Sequence, residues 1–149
     1  MKIYVKNIKK SKHSRYEVIK AANFFASKLM TKRLADTLTI YINFDDDLGY
    51  AGLATWLDEP VRGKEFSIRL DPTHREPEFV SLAHEMVHVK QYARGELRDL
   101  LSIEDQIVWQ GSRHKCSNDD DNYNSQPWEV EAYAKEWILF DEFIEGKLS

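Results

Sequence analysis

Two histidines four residues apart, with a glutamate beside the first, are spaced to do chemistry: His84-Glu85-Met86-Val87-His88. On a helix, positions i and i+4 lie one turn apart on one face, so both imidazoles can turn a ring nitrogen toward one ion about 2.0–2.1 Å away. Glu85, rotated by about 100° from His84, is poorly placed as a third ligand but can reach a water held by the metal. The expected chemistry is amide hydrolysis with one Zn2+ per chain as cofactor. Zinc lowers the pKa of its water to about 7, and Glu85, as general base, takes the proton and hands it to the leaving amine. Without a metal, the same residues would stand idle among Phe79, Val80, Leu82, Ala83, Met86, Val87 and Val89, which is costly for polar groups.

A catalytic zinc takes three protein ligands and keeps one position open, so a third ligand must come from elsewhere. The metzincin spacing is excluded, because the places three and six residues after His88 hold Gln91 and Arg94. His74 and His114 are candidates from expected loops; Glu129 and Glu131 are candidates from the last helix. Helical stepping separates the two glutamates. Glu131 gathers with Lys135 and Glu142, whereas Glu129 falls among Ala132, Tyr133, Trp137, Phe140 and Phe143. A carboxylate on an apolar face needs a partner, so Glu129 is the expected ligand, and Glu131 is expected to face solvent beside Lys135. His114, Tyr123 or Tyr133 could donate to an oxyanion.

With the first motif followed in a later helix by Trp128-Glu129-Val130-Glu131-Ala132, the chain resembles the gluzincin zinc peptidases, particularly minimal single-domain forms of phages and bacteria. The resemblance spans residues 81–137 and, in outline, the strands before them. It implies a small zincin-like domain, and it implies Glu129 as third ligand in agreement with the helical-face argument. It also implies that the strand just before the active helix, within residues 63–72, is a sheet edge on which an extended peptide or protein substrate lies. Many members orient the first histidine with an aspartate four residues after the ligand glutamate; here Tyr133 stands in that place. Two rival readings share some features. A SprT-like, nucleic-acid-associated metalloprotease has the HExxH motif but generally a third histidine and a basic surface. A non-catalytic phage structural or regulatory module would have no use for Glu85 as a proton shuttle.

The elements needed to hold these residues can be read from periodicity. Residues 2–8 form a strand by composition, and residues 14–30 place Tyr16, Ile19, Ala22, Phe25 and Leu29 near helical spacing. Leu38, Ile40, Ile42 and Phe44 alternate along a second strand. Two more strands, at residues 50–57 and 64–70, suggest an antiparallel meander. Pro77 opens the active helix and Gly95 stops it. Residues 97–111 fit either a short helix or a return strand, with a turn at Trp109-Gln110-Gly111, while residues 112–126 read as a polar loop. A last helix runs from Pro127 to about Glu145. The expected fold class is α+β: a mostly antiparallel sheet with an N-terminal helix, the HExxH helix and a C-terminal ligand-bearing helix.

Composition bounds the rest. At 149 residues the chain is expected to be one domain with its own core. A single cysteine, Cys116, excludes an intramolecular disulfide and a cysteine zinc cluster, and suits a reducing compartment. No secretory h-region and no membrane-length apolar run are visible, so the expected location is cytoplasmic, in a virus-encoded setting if the phage resemblance holds. A net charge of -4 argues against nucleic acid as the main partner, despite Lys2, Lys6, Lys9, Lys10, Lys12, Arg15 and Lys20 near the start. The acidic runs at residues 44–49 and 117–125 lack the glycine and glutamate spacing of a calcium loop. Nothing in the sequence indicates an oligomeric state.

Overall fold

Alternation of buried and exposed side chains sets the first sheet. The computed structural model describes residues 1–46, 48–58, 64–99, 106–115 and 124–148. In β1 (Lys2–Lys6) and β2 (Thr39–Phe44) every second residue turns inward, with Ile40, Ile42 and Phe44 wholly buried and Tyr4 and Tyr41 stacked on the outer face. Between these strands run α1 (Arg15–Leu29) and the single turn α2 (Lys32–Ala35), so β1 and β2 pair in parallel, as a helical crossover requires. Ser14 and Glu17 start α1 with a reciprocal capping box.

The meander expected over residues 39–70 is not formed. The sheet order is β1-β2-β4-β3, with β4 (Glu65–Leu70) inserted in parallel beside β2 and β3 (Gly52–Trp56) antiparallel on its far side. Burial explains the order: Phe66, Ile68 and Leu70 of β4 are fully enclosed and demand a central place, whereas β3 carries Gly52 and the exposed Leu53, which suit an edge. The strand immediately before the active helix is therefore interior, and the edge expected within residues 63–72 belongs to β3 instead.

The HExxH helix, α3 (Glu78–Ala93), is buried along nearly its whole length between this sheet, α1 and the last helix. Pro77 stands at its N-cap, and its end is a Schellman motif. Gly95 adopts φ 75°, the Glu96 N–H donates to the Gln91 carbonyl at 2.8 Å, and the Gly95 N–H donates to that of Tyr92 at 3.1 Å.

A second, antiparallel sheet follows: β5 (Leu97–Asp99), β6 (Gln106–Trp109) and β7 (Ser112–Lys115). Gln110 and Gly111, at φ 47° and 87°, join β6 to β7 in a two-residue turn of type I′ character. Residues 112–115, expected in a polar loop, are thus a strand whose polar sequence, with Ser112 and Arg113 exposed, hides the alternation. Among the described residues, three of the five strand pairings are antiparallel. Cys116, Tyr123 and most of the acidic run around them lie outside the described residues.

The last helix, α4 (Pro127–Leu148), begins where expected, with the Gln126 carbonyl accepting from the N–H groups of Glu129 and Val130. Its buried stripe is Trp128, Glu129, Ala132, Glu136, Leu139 and Phe143. Trp137, expected on that stripe, is 48% exposed, because the line of contact with α3 lies one position earlier in each turn. The result is an α+β fold of an N-terminal helix, an HExxH helix, a C-terminal helix and two sheets. Among the described residues, no helix is long and apolar enough to cross a membrane.

Candidate metal centre

The packing of α3 on α4 brings His84, His88 and Glu129 together out of solvent. Their ligand atoms all lie within 4.8 Å of one another. Glu129 divides its carboxylate between the imidazoles: Oε1 is 3.0 Å from His84 Nε2 and Oε2 is 2.9 Å from His88 Nε2. Donors arranged tetrahedrally around a zinc ion stand roughly 3.3 Å apart, so a few tenths of an ångström of opening admit the ion. Two imidazole nitrogens and one carboxylate are the donor set a single Zn2+ takes in a catalytic site.

The far side of each ring is tied down. His84 Nδ1 lies 2.8 Å from Oε2 of Glu136, and His88 Nδ1 lies 2.8 Å from Oε1 of Gln91. With Nδ1–H donating in both, each Nε2 lone pair is left for a metal, which is how second partners fix the tautomer of a ligating histidine. The orienting group for His84 is thus Glu136, two turns beyond Glu129. Tyr133, one turn past Glu129, packs edge-on against the His84 ring at 4.7 Å.

Gln91 is itself held by its amide, which donates to the Trp128 carbonyl at 3.0 Å and to Glu131 at 2.9 Å. Glu131, expected to face solvent with Lys135 alone, keeps that pair at 3.0 Å but also accepts from the buried Lys90 at 3.0 Å. Lys90 in turn pairs with Glu96 at 2.8 Å. Glu131 is therefore the anchor of a polar chain that ends on His88, because α4 turns it toward the C-terminal half of α3.

Electrostatics follow from this arrangement. Burial pulls the His84 imidazolium down, but hydrogen bonds to Glu129 and Glu136 outweigh it and hold its pKa up at about 10. His88 is raised too, with burial opposing and Glu129 prevailing. Burial lifts the Glu129 carboxyl, yet hydrogen bonds from His84 and His88 bring it to about 2. The metal-free cluster is an imidazolium–carboxylate assembly from which a metal must displace protons. Glu85 moves the other way: burial raises its pKa, against the opposing charges of His88 and His84.

Glu85 also faces β3. The Ala54 backbone N–H is hydrogen-bonded to its carboxylate, and Gly52 lets the strand come close. A Cβ at Gly52 would sit 2.9 Å from Leu70 Cδ2, 3.1 Å from the Arg69 carbonyl oxygen and 3.2 Å from Glu85 Cγ. A Cβ there would force these neighbours to give way.

A groove passes over the cluster along β3. One half, about 290 Å³, has mostly apolar walls; the other, about 280 Å³, is lined by polar groups including Tyr50, His74, Glu76 and Tyr133, and both halves touch Glu85 and Glu129. His74 accepts at Nδ1 from the Glu76 N–H at 3.3 Å and is not in the ligand cluster. His114, also outside the cluster, lies on β7 with its ring edge-on to Trp128 at 5.6 Å. The Tyr133 hydroxyl donates to Asn124 at 3.2 Å, and burial together with the charges of Glu129 and Glu136 raises its pKa. Glu136 and Gln91 were missed in the sequence, although each had a signal: Glu136 repeats Glu129 after two turns, and Gln91 is an amide one turn past His88 in a helix apolar all round.

No family model matches the chain, and no curated protein or solved structure matches it significantly. The His84-Glu85-x-x-His88 motif with the distal Glu129 forms a zinc-binding cluster consistent with an HExxH gluzincin-type site.

Proposed function

We propose that this protein is a zinc-dependent metallopeptidase, with His84, His88 and Glu129 as metal ligands and Glu85 as general base. The observation that carries the reading is the convergence of two Nε2 atoms and one carboxylate, with both Nδ1 atoms already committed to Glu136 and Gln91. When bound, zinc supplies Lewis acidity and a water whose pKa is lowered to about 7.

The protein's own groups do the rest. Glu85, whose pKa burial raises, is suited to take a proton at the groove floor and return it to the leaving amine. Tyr133, which lines the groove together with Glu85 and Glu129, is the residue to which we assign donation to a developing oxyanion. The edge of β3, which pairs with no strand but β4 among the described residues, supports an extended peptide laid along the groove, held by backbone hydrogen bonds. The single cysteine in 149 residues supports a reducing, intracellular setting.

The decisive experiment is hydrolysis of a denatured protein substrate by zinc-loaded wild type and Glu85→Gln. Cleavage by the first and none by the second is expected. Equal cleavage by both would remove Glu85 from its role, and no cleavage by either would favour a binding module that retains the fold.

A further inference from the structure

Two residues that line the apolar half of the groove carry hidden N–H groups that meet no acceptor among the described residues: Trp56, by Nε1, on β3 and Gln126, by Nε2, just before α4. Gln126 is only 7% exposed. Buried donors without partners are rare, and each calls for an explanation. Around these two, Leu53, Tyr92, Leu97, Ile107 and Trp128 supply the apolar wall, and Glu85, His88 and Glu129 close the end toward the cluster. The volume, about 290 Å³, is at the small end for ligand pockets, so one large side chain fills it and a longer segment does not. Beside it runs the edge of β3, which pairs with no strand but β4 among the described residues and along which an extended chain would present alternate side chains to one face.

We propose that this half of the groove is a subsite for a large substrate side chain with an apolar body and an acceptor at its tip, tyrosine above all, and that Gln126 and Trp56 are its specificity-determining residues. The proposal rests on the peptidase reading of the groove. The apolar wall takes the ring, and the two unpaired donors take the hydroxyl oxygen. Phenylalanine would leave both donors unmatched, lysine would set its ammonium donors against the two N–H groups, and aspartate would bring a further negative charge near Glu85 and Glu129. Because Gln126 Nε2 has no partner to lose among the described residues, replacing Gln126 with an apolar group of similar size should not weaken the free protein. A residue in a purely structural role would behave in the opposite way.

The test uses Glu85→Gln protein, which cannot turn substrate over on this account, and a set of short peptides in which each position in turn is tyrosine, phenylalanine, lysine or aspartate. Binding is read by calorimetry and by the fluorescence of the tryptophans in the groove wall. At one position tyrosine should bind about tenfold tighter than phenylalanine, the worth of one hydrogen bond, and the charged residues weaker still. In Gln126→Leu and, separately, Trp56→Phe, that ratio should fall toward one, and in Gln126→Leu, which keeps the side chain's size, the thermal midpoint of the free protein should not drop. The same preference at no position, or a tyrosine-to-phenylalanine ratio unchanged in both variants, would overturn the proposal. Cleavage by zinc-loaded wild type without any such preference would sink the subsite and leave the peptidase reading standing; selective binding without cleavage would do the reverse.

Discussion

The Glu136 carboxylate lies 2.8 Å from Nδ1 of His84, so a residue two helical turns beyond the ligand Glu129 holds the ring that faces it. Glu136 is buried, and its other neighbours leave it no comparable partner among the hydrogen bonds of the described residues. Removing it in Glu136→Ala should weaken zinc binding 10- to 100-fold, the usual cost of losing such a partner. Glu136→Gln keeps an acceptor and should lose much less. Competition with a chromophoric chelator measures both; equal affinity in Glu136→Ala and wild type would mean the contact does not orient the ligand.

Gln91 plays the same part for His88, and Glu131 supports Gln91. Gln91→Leu should therefore weaken zinc binding as Glu136→Ala does. Glu131→Ala, which pairing with Lys135 alone would make nearly neutral, also strips a carboxylate from the buried Lys90 and should destabilise the fold by about 1–3 kcal/mol. Denaturant melts of the metal-free proteins read the second effect. A loss under a few tenths of a kcal/mol, as exposed pairs give, would contradict it.

Gly52→Ala should keep zinc but slow turnover. Its Cβ would press on Leu70, the Arg69 carbonyl and Glu85 Cγ, so β3 must move away and the Ala54 hydrogen bond to Glu85 must shift. A drop in kcat with zinc affinity unchanged is the expected signature, and unchanged kcat would show that the close approach does not matter to the base.

Zinc affinity should climb with pH. In the metal-free protein the His84 imidazolium is held up to about 10 and Glu129 stays ionised down to about 2, so between those limits the competing species at His84 is a proton. Raising the pH removes that competitor, and apparent affinity should rise by about tenfold per unit for each proton displaced. The measurement is chelator competition from pH 5.5 to 8 with the chelator's own protonation corrected. A flat profile would mean the histidines are already neutral before zinc arrives.

The site was more legible in the sequence than the sheet that carries it. The spacing of His84 and His88 needs only the helical repeat, and Glu129 stood out because its neighbours on the helix are apolar. Glu136 escaped because the expected stripe ran through Tyr133 and Trp137, one position off the true line of contact. Strand order was opaque for a different reason. Alternation says which face of a strand is buried but not which strand lies beside it, so β3 and β4 looked like successive turns of a meander. The positive φ of Gln110 and Gly111 made a hairpin of β6 and β7 that the polar sequence of β7 concealed.

The central claim, that His84, His88 and Glu129 hold one catalytic zinc, is tested most directly by metal content. Wild type purified without added metal, then titrated with zinc and measured by mass spectrometry, should carry one ion per chain, and Glu85→Gln should carry the same. Glu129→Ala should lose affinity by orders of magnitude, because three ligands become two and a buried negative charge is gone. Full zinc occupancy in Glu129→Ala at equal affinity, or a wild-type protein that refuses zinc, would contradict the account.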